Sequence, residues 1–147
     1  MRLWTGRQPV ALKIWNTLDL ADFPQLHTSY YADAKGVLLA YSVTDQKSFA
    51  EILTWAAIAR REVPEATVVL VGTKIDQRKL REVSFCEGIA LANSLEIPFL
   101  ETSSKDAINI NEVFLLLTKL ILSKPGVKVV RMMDAPLLQR ATASLSH

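Results

Sequence analysis

The sequence predicts an α/β fold in which a mostly parallel sheet is flanked by helices. Residues 36–41 and 67–72 form two almost continuously apolar runs, as expected for parallel strands that are buried on both faces. Helical patterns lie between these runs and a shorter one that follows, and the sequence shows no internal repeat. Alternation of this kind is typical of parallel strands joined by crossover helices.

Four strands are predicted. Residues 10–15 alternate between apolar and polar side chains, which indicates a strand that is half covered or close to an edge. The runs at residues 36–41 and 67–72 are interpreted as central strands. Residues 97–102 carry Pro98 near their start, which suits a strand at the edge of the sheet.

Three helices are predicted, over residues 46–61, 84–94 and 109–123. The last has an apolar stripe at three- and four-residue spacing, and further leucines make it apolar almost all round. Ordinary packing against the sheet explains this pattern, and a surface that binds a partner is the alternative. The stripe consists of Ile110, Val113, Phe114, Leu117, Leu120 and Ile121.

Composition indicates one domain, residues 1–123, followed by a flexible extension, residues 124–147, in which the alternation is lost. A net charge of +2, from 17 Lys and Arg against 15 Asp and Glu, does not favour nucleic-acid binding. The single cysteine, Cys86, lies in a helical pattern and is predicted to pack as a small apolar residue, with a reactive thiol as the alternative. No apolar run reaches about 18 residues, so we expect a cytoplasmic protein.

Candidate binding residues follow the second buried strand. Thr73, Lys74 and Asp76 lie just beyond its carboxyl end, where open α/β sheets bind ligands. The two oxygens of Asp76 match the ring N–H and the exocyclic amine that guanine presents side by side, whereas adenine lacks that ring N–H. Lys74 can lay its methylene groups on the base or ribose. A solvated loop that closes the strand is the alternative.

A second polar loop follows the next strand. Ser103, Ser104 and Lys105 come after residues 97–102 and before the last predicted helix. Their backbone N–H groups are therefore expected to face the same crevice as Asp76. Two such loops at consecutive strand ends favour a binding site over two unrelated turns.

These loops resemble those of the Ras superfamily, and of its Rab family in particular. Residues 73–76, Thr-Lys-Ile-Asp, are similar to the Asn-Lys-x-Asp motif that selects guanine. Residues 103–105, Ser-Ser-Lys, are similar to the Ser-Ala-Lys loop, in which the middle backbone N–H binds the guanine O6. Residues 29–31 and 36–49 resemble the Rab run from the second switch through the fourth strand, and the likeness extends over about residues 10–123.

The resemblance implies a small-GTPase G domain of the P-loop NTPase type, with GTP or GDP as ligand. It also implies protein effectors or regulators as partners and a role in vesicle trafficking or signalling. Rab proteins end in prenylated cysteines, but no cysteine follows Cys86 here, which predicts no prenyl anchor. Because Lys124, Lys128 and Arg131 form only a thin basic cluster, membrane residence is expected to need a partner.

The chain departs from the family in its second switch. The family's Asp-Thr-Ala-Gly-Gln-Glu corresponds to Asn-Thr-Leu-Asp-Leu-Ala at residues 16–21. Asn16 stands at the aspartate that orients a magnesium-bound water, Asp19 at the glycine that meets the γ-phosphate, and Leu20 at the glutamine that positions the attacking water. The departures imply a pseudo-GTPase with defective hydrolysis, no catalytic residue and no dependable Mg²⁺ site.

The phosphate-binding loop of the family has no counterpart in the 147 residues. None of the five glycines pairs with another at the Gly-x-x-x-x-Gly-Lys spacing. We therefore expect a G domain truncated before residue 10, which lacks the phosphate loop and the first switch. Binding of GTP or GDP is then expected only in the high-micromolar to millimolar range.

The absent segment would supply a strand between residues 10–15 and residues 36–43. The sheet is then expected either to close directly, by pairing these two segments, or to accept a strand from a partner or a second copy. Self-association through exposed sheet edges is the consequence of the second alternative.

Three functions remain open from the sequence. The first is a Rab-like protein that acts through protein contacts, with Phe23, Tyr30, Tyr31 and Trp55 near the surfaces that the family uses for effectors, unless these aromatics are core residues. The second is an incomplete form, spliced or wrongly started, of an active GTP-binding GTPase. The third is a working GTPase of unusual mechanism.

Overall fold

A computed structural model describes residues 1–6, 9–15 and 33–126. The predictions for Asn16, Asp19, Leu20, the aromatics at positions 23, 30 and 31, and the extension beyond residue 126 lie outside these ranges. The strands are β1 (Arg2–Trp4), β2 (Pro9–Ala11), β3 (Gly36–Ser42), β4 (Thr67–Thr73) and β5 (Phe99–Glu101). The helices are α1 (Gln46–Ala50), α2 (Ile52–Glu62), α3 (Phe85–Leu95) and α4 (Ile110–Ser123), with a short 3₁₀ helix at Arg78–Leu80.

The main sheet is parallel and has the order β3-β4-β5, which confirms the α/β class. Leu39 of β3 is the register partner of Leu70 in β4, and Gly72 is the partner of Glu101 in β5. β4 is therefore the central strand, and within the described ranges β5 lies at an edge, as its proline predicted. β3 was expected to be central, but among the described residues it pairs with β4 alone.

Two hydrophobic cores lie on opposite faces of this sheet. Because successive side chains of a strand point to opposite faces, Leu70 of β4 packs in one core and its neighbours Val69 and Val71 in the other. The first core also contains α2 and α3 residues, including Ile52 and Ala92. The second core contains Val113 and Leu117 of α4, so the three-layer arrangement of helices around a sheet is confirmed.

The stripe of α4 accounts for most of its apolar character. Val113 and Leu117 are buried, and Phe114, Leu120 and Ile121 are partly buried against the same core. Packing on the sheet, rather than a partner, is sufficient to explain this stripe.

Helices α1 and α2 occupy the segment predicted as one helix. Asp45 caps α1 by accepting hydrogen bonds from the N–H groups of Lys47 and Ser48, at 3.0 and 3.2 Å. The two helices meet at Glu51, whose backbone keeps right-handed helical angles. The interruption therefore changes the predicted helix little. Trp55, a candidate effector-binding aromatic, is half-buried against the first core.

Helix α3 approaches the sheet closely at Gly88. A Cβ built there would lie 2.5 Å from Phe99 Cζ and 2.5 Å from the Tyr41 hydroxyl oxygen. The helix begins with a capping box, in which Ser84 and Glu87 each satisfy a backbone N–H of the other. The cap fixes where α3 starts, and the glycine sets how near it lies to β3 and β5.

The N-terminal strand prediction is only partly right. Residues 10–15 were expected to form one strand that could pair with β3, but β2 ends at Ala11 and pairs antiparallel with β1. Beyond β2, one further pair, Leu12 with Met1, is joined by two backbone hydrogen bonds of 2.8 and 3.2 Å. Direct closure of the sheet by residues 10–15 is therefore wrong in this structure.

The prediction for Cys86 is also wrong, because this side chain is exposed. The buried residues of α3 are Gly88, Ala92 and Leu95, which follow helical spacing on one face. Cys86 lies two residues before Gly88, a rotation of about 200° around the helix axis, and so faces away from the core.

No helix in the described part of the chain is both long enough and apolar enough to cross a bilayer.

Candidate functional site

The first loop of the site begins where β4 ends. The Thr73 hydroxyl donates to the Tyr41 carbonyl at 2.8 Å, which fixes the end of β4 to β3. Lys74 then adopts a positive φ of 66°, and its carbonyl accepts from the Gln77 N–H at 3.0 Å. The chain thereby turns back over the sheet edge and brings Asp76 to the crevice. Lys74 itself is exposed.

The second loop begins where β5 ends. Ser103 is fully buried and pairs with Ile108 through two backbone hydrogen bonds, of 3.0 and 2.9 Å. Its hydroxyl oxygen accepts from the Asp106 N–H at 3.0 Å. The Asn109 side-chain amide closes the loop by donating to the Glu101 carbonyl at 2.7 Å.

Two hydrogen bonds join the loops to each other. The Ser103 hydroxyl donates to Asp76 Oδ1 at 2.7 Å, and the Ile75 N–H donates to the Thr102 carbonyl at 3.3 Å. The predicted meeting of the two loops is therefore present in the geometry. The bond from Ser103 uses one of the roughly four acceptor positions of a carboxylate, so Asp76 keeps acceptor capacity for two neighbouring donors of a ligand.

Donors are available beside this carboxylate. Ser104 and Lys105 are exposed, and neither backbone N–H bonds to another residue within the described part of the chain. Successive free N–H groups of this kind suit an acceptor oxygen. A ligand with two adjacent donors and a neighbouring carbonyl oxygen, as in guanine, matches the acceptors of Asp76 and the donors of residues 104–105.

Backbone strain is concentrated at these loops. Four non-glycine residues in the described ranges have a positive φ, and three of them, Lys74, Ala107 and Asn109, flank the site. For a non-glycine residue this region costs about 1–2 kcal/mol. The loops hold these angles because the hydrogen bonds above fix them on both sides.

A cavity of about 630 Å³ adjoins Asp76. Arg81 and Glu101 line it and form a two-pronged ion pair, with N–O distances of 2.7 and 2.9 Å. The hydrogen bond to Glu101 raises the pKa of the Arg81 guanidinium. Because both side chains are mostly buried, the pair fixes the 3₁₀ segment of the first loop to the end of β5.

Sequence reasoning missed the residues that hold the loops together. Arg81 and Glu101 are 20 positions apart, and no local pattern connects them. Asn109 had a usable signal, since asparagine tolerates the left-handed region at the start of a helix. Among the predicted residues, Asp76 is hydrogen-bonded directly to Ser103. The Thr73 hydroxyl instead bonds to a backbone carbonyl of β3.

No group of three or more His, Cys, Asp or Glu residues in the described ranges is arranged to hold a metal ion. Asn16, which stands at the family's aspartate, lies outside those ranges.

Comparison with known proteins gives the family. The model of the Ras family matches residues 2–123. The GTP-binding protein ypt2 of Schizosaccharomyces pombe is 40% identical over 111 residues, which are 75% of this chain and 56% of that protein. The Ras-related protein SEC4 of Saccharomyces cerevisiae is 40% identical over 116 residues, 78% of this chain and 54% of that protein. Rab-8B of Dictyostelium discoideum is 37% identical over 128 residues, 86% of this chain and 60% of that protein.

The chain thus spans a little more than half the length of these relatives. The family model, by contrast, matches most of the 147 residues. The parallel sheet with helices on both faces is the fold that the resemblance implied. The chain belongs to the Ras family, and within it is similar to proteins of the Rab type.

Proposed function

We propose that this chain recognises the guanine base of GTP or GDP, binds the nucleotide weakly and does not hydrolyse it. The observation that carries the proposal is the 2.7 Å hydrogen bond from the buried Ser103 to Asp76. It fixes the orientation of the Asp76 carboxylate from within the protein and joins the loop of residues 73–76 to that of residues 103–105. In favour of guanine is the match between this carboxylate and the adjacent ring N–H and exocyclic amine of that base.

Base selectivity follows from the same groups. A charge-assisted hydrogen bond to a carboxylate contributes roughly 1.5–3 kcal/mol. Adenine cannot donate from its ring nitrogen to Asp76, and its exocyclic amine would oppose the N–H groups of residues 104–105. Since a site that leaves such groups unpaired rejects a ligand strongly, guanosine should be preferred over adenosine.

Weak binding and defective hydrolysis are proposed from the sequence. The 147 residues contain no pair of glycines at the phosphate-loop spacing, so within these residues we propose that the base supplies most of the affinity. Asn16, Asp19 and Leu20 replace the groups that would orient a magnesium-bound water, admit the γ-phosphate and position the attacking water. Mg²⁺ is accordingly not expected to strengthen nucleotide binding.

A cellular role through protein contacts is proposed from the family. The relatives ypt2 and ypt1 of Schizosaccharomyces pombe are named GTP-binding proteins. The Rab resemblance implies effectors or regulators in vesicle trafficking. From the chain's own residues we propose a cytoplasmic protein that reaches membranes through a partner. Among the candidate contact residues, Trp55 is half-buried, so its exposed part is what a partner could touch.

The experiment that tests base recognition is a titration of the full chain with guanosine, adenosine and GDP, followed by ¹H–¹⁵N correlation spectra. We expect guanosine to shift the amides of Asp76, Ser104 and Lys105 with a dissociation constant near the millimolar range. Adenosine should bind at least about tenfold more weakly, because one strong hydrogen bond is lost. GDP should bind within about tenfold of guanosine, since the phosphates add little.

The matched control is Asp76→Asn. This variant keeps the side-chain volume but presents an amide N–H₂ where guanine needs an acceptor, so guanosine binding should fall at least about tenfold. Xanthosine carries a carbonyl in place of the guanine amine and should bind the variant better than guanosine does. Equal guanosine affinity in both proteins contradicts the base site.

Nucleotide released from the purified, undenatured chain gives the second readout. We expect chromatography to find little GDP or GTP. Stoichiometric nucleotide from the wild type that is lost in Asp76→Asn would mean that phosphate binding is intact, and the weak-binding proposal would then be wrong.

A further inference from the structure

The two base loops are tied to each other through side chains at two separate points. The first is the hydrogen bond from the Ser103 hydroxyl to Asp76 Oδ1, at 2.7 Å. The second is the ion pair of Arg81 with Glu101, in which each of two guanidinium nitrogens donates to one carboxylate oxygen, at 2.7 and 2.9 Å. Arg81 follows Asp76 in the first loop. Glu101 comes just before Ser103 in the second, so the same two segments are cross-linked twice.

Hydrogen-bonded turns connect Arg81 back to Asp76. The Leu80 N–H donates to the Gln77 carbonyl at 3.0 Å, within the 3₁₀ turn that ends at Arg81. The Gln77 N–H donates in its turn to the Lys74 carbonyl, also at 3.0 Å. Because such turns leave few backbone angles free, a displacement of Arg81 also displaces Asp76.

The ion pair has the geometry needed to fix an orientation. A guanidinium that donates two parallel bonds to a carboxylate sets the angle between the two groups as well as their distance. The side chains of Arg81 and Glu101 are 27% and 12% exposed, so water competes for them only in part. Arg81 Nη1 also donates to the Val83 carbonyl at 3.0 Å, which restricts the guanidinium further.

A single hydrogen bond does not fix the whole carboxylate of Asp76. The bond from Ser103 holds Oδ1, and the second oxygen can still swing about it unless the backbone of Asp76 is held as well. Guanine presents its ring N–H and its exocyclic amine side by side, so both acceptor directions have to match at once. Recognition of the second donor therefore depends on what fixes residues 76–81 relative to β5.

We propose that Arg81 and Glu101 are positioning residues that determine the recognition of the exocyclic amine of guanine. Neither side chain touches the base. The ion pair holds the first loop against the end of β5, so that Asp76 accepts from the ring N–H and from the amine together. This inference rests on the proposed recognition of guanine, and it names the contact on which that selectivity depends.

The test compares guanosine monophosphate (GMP) with inosine monophosphate (IMP), which lacks only the exocyclic amine. Titrations of the full chain, followed by ¹H–¹⁵N spectra, should show that the wild type binds GMP about tenfold more tightly, because IMP loses one charge-assisted hydrogen bond. In Arg81→Lys, which keeps the charge but cannot form the two-pronged contact, the ratio should fall below about threefold. A variant that is merely less stable would bind both nucleotides more weakly and keep the ratio.

The matched control is Arg78→Lys. Arg78 borders the same cavity as Arg81, but its side chain is exposed and makes no hydrogen bond or ion pair within the described ranges. This variant should keep the ratio of about tenfold. An unchanged ratio in Arg81→Lys, or an equal fall in both variants, overturns the inference alone. A wild type that binds GMP and IMP equally overturns the proposed base recognition as well, so the two failures are distinguishable.

Glu101→Gln tests the ion pair from its other end. The ratio should fall as it does in Arg81→Lys, and the double variant should be no worse than either single one, because the same contact is removed each time. Without nucleotide, the Ile75 amide, which donates to the Thr102 carbonyl across the loops, should exchange at least about threefold faster in the variants. The Leu70 amide, which bonds β4 to Pro98 away from the loops, should not change. Additive losses in the double variant, or equal acceleration at both amides, would overturn the positioning role.

Discussion

Tyr41 shows how one side chain responds to its packing. Its ring lies edge-on to Phe49 at 4.9 Å and is stacked with Phe99 at 6.5 Å between centroids. Tyr41 is 2% exposed, and its hydroxyl has no hydrogen-bond partner among the described residues. Burial, and secondarily the negative charge of Glu101, raises the pKa of Tyr41 to about 12.

This raised pKa predicts a loss of stability in alkali. An unfolded tyrosine titrates near pH 10, so between about pH 10 and 12 the unfolded chain loses a proton that the folded chain keeps. The unfolded state then binds fewer protons, and the free energy of unfolding decreases as the pH rises. A two-unit difference corresponds to roughly 2–3 kcal/mol.

Tyr41→Phe removes the titration and the unpaired hydroxyl but keeps the ring. We expect unchanged or higher stability at pH 7, because no hydrogen bond is lost, and a shallower decline above about pH 10. Urea unfolding of both proteins from pH 7 to pH 11 measures this, since all other groups titrate alike in the two chains. Parallel stability curves would show that burial does not perturb this hydroxyl.

At the scale of the element, α3 illustrates what the sequence could predict. Ser84 followed by Glu87 is a recognisable capping box, and the structure starts the helix at Phe85. The apolar runs of β3 and β4 likewise identified both strands. Pairing partners were not predictable: residues 10–15 were predicted as one strand that could join the main sheet, but β2 pairs with β1 instead.

The candidate site, too, could be predicted from the sequence only in part. Loops at the carboxyl ends of β4 and β5 could be inferred, because parallel strands end at one edge of a sheet. The contacts that fix them could not, since Asp76 and Ser103 are 27 positions apart, and only the register of β4 with β5 brings them to 2.7 Å.

The cap of α3 can be tested by Ser84→Ala. The Ser84 hydroxyl oxygen accepts from the Glu87 N–H at 3.2 Å, and its loss should lower the free energy of unfolding by about 0.5–2 kcal/mol. Ser94→Ala, at an exposed position of the same helix, is the control and should stay within about 0.5 kcal/mol of the wild type. Equal effects of the two substitutions, measured by urea unfolding, would argue against a capping role.

The same variant has a pH signature. Hydrogen bonds from the Ser84 hydroxyl and backbone lower the pKa of Glu87. A lowered folded-state pKa gives stability that is present at neutral pH and lost as the pH falls through that value. The stability deficit of Ser84→Ala should therefore shrink below about pH 4. A deficit that is the same at pH 7 and in acid would show that the Glu87 charge plays no part.

At the scale of the molecule, β4 connects the two cores. Its side chains alternate between them, and it is the one strand of the main sheet paired on both sides among the described residues. The β1–β2 hairpin is a separate two-stranded sheet, and such hairpins are marginally stable on their own.

This arrangement predicts the pattern of amide hydrogen exchange. Residues 69–72 of β4 should exchange most slowly and approach the rate set by global unfolding. In β3 only alternate amides should be protected, because one side of that strand is unpaired in the described structure. The hairpin amides should exchange fastest. Native-state exchange followed by NMR checks this order, and hairpin protection equal to that of β4 would contradict it.

The positive-φ angles at Lys74, Ala107 and Asn109 also bear on how long a ligand stays. Because hydrogen bonds within the protein hold these loops, little of the affinity for a base should be lost to rearrangement. The weak affinity proposed above would then appear as rapid dissociation. With an association rate constant on the order of 10⁷ M⁻¹s⁻¹ and millimolar affinity, the residence time is about 0.1 ms. A guanine nucleotide would thus exchange rapidly, and the fraction of protein that is occupied would follow the free nucleotide concentration.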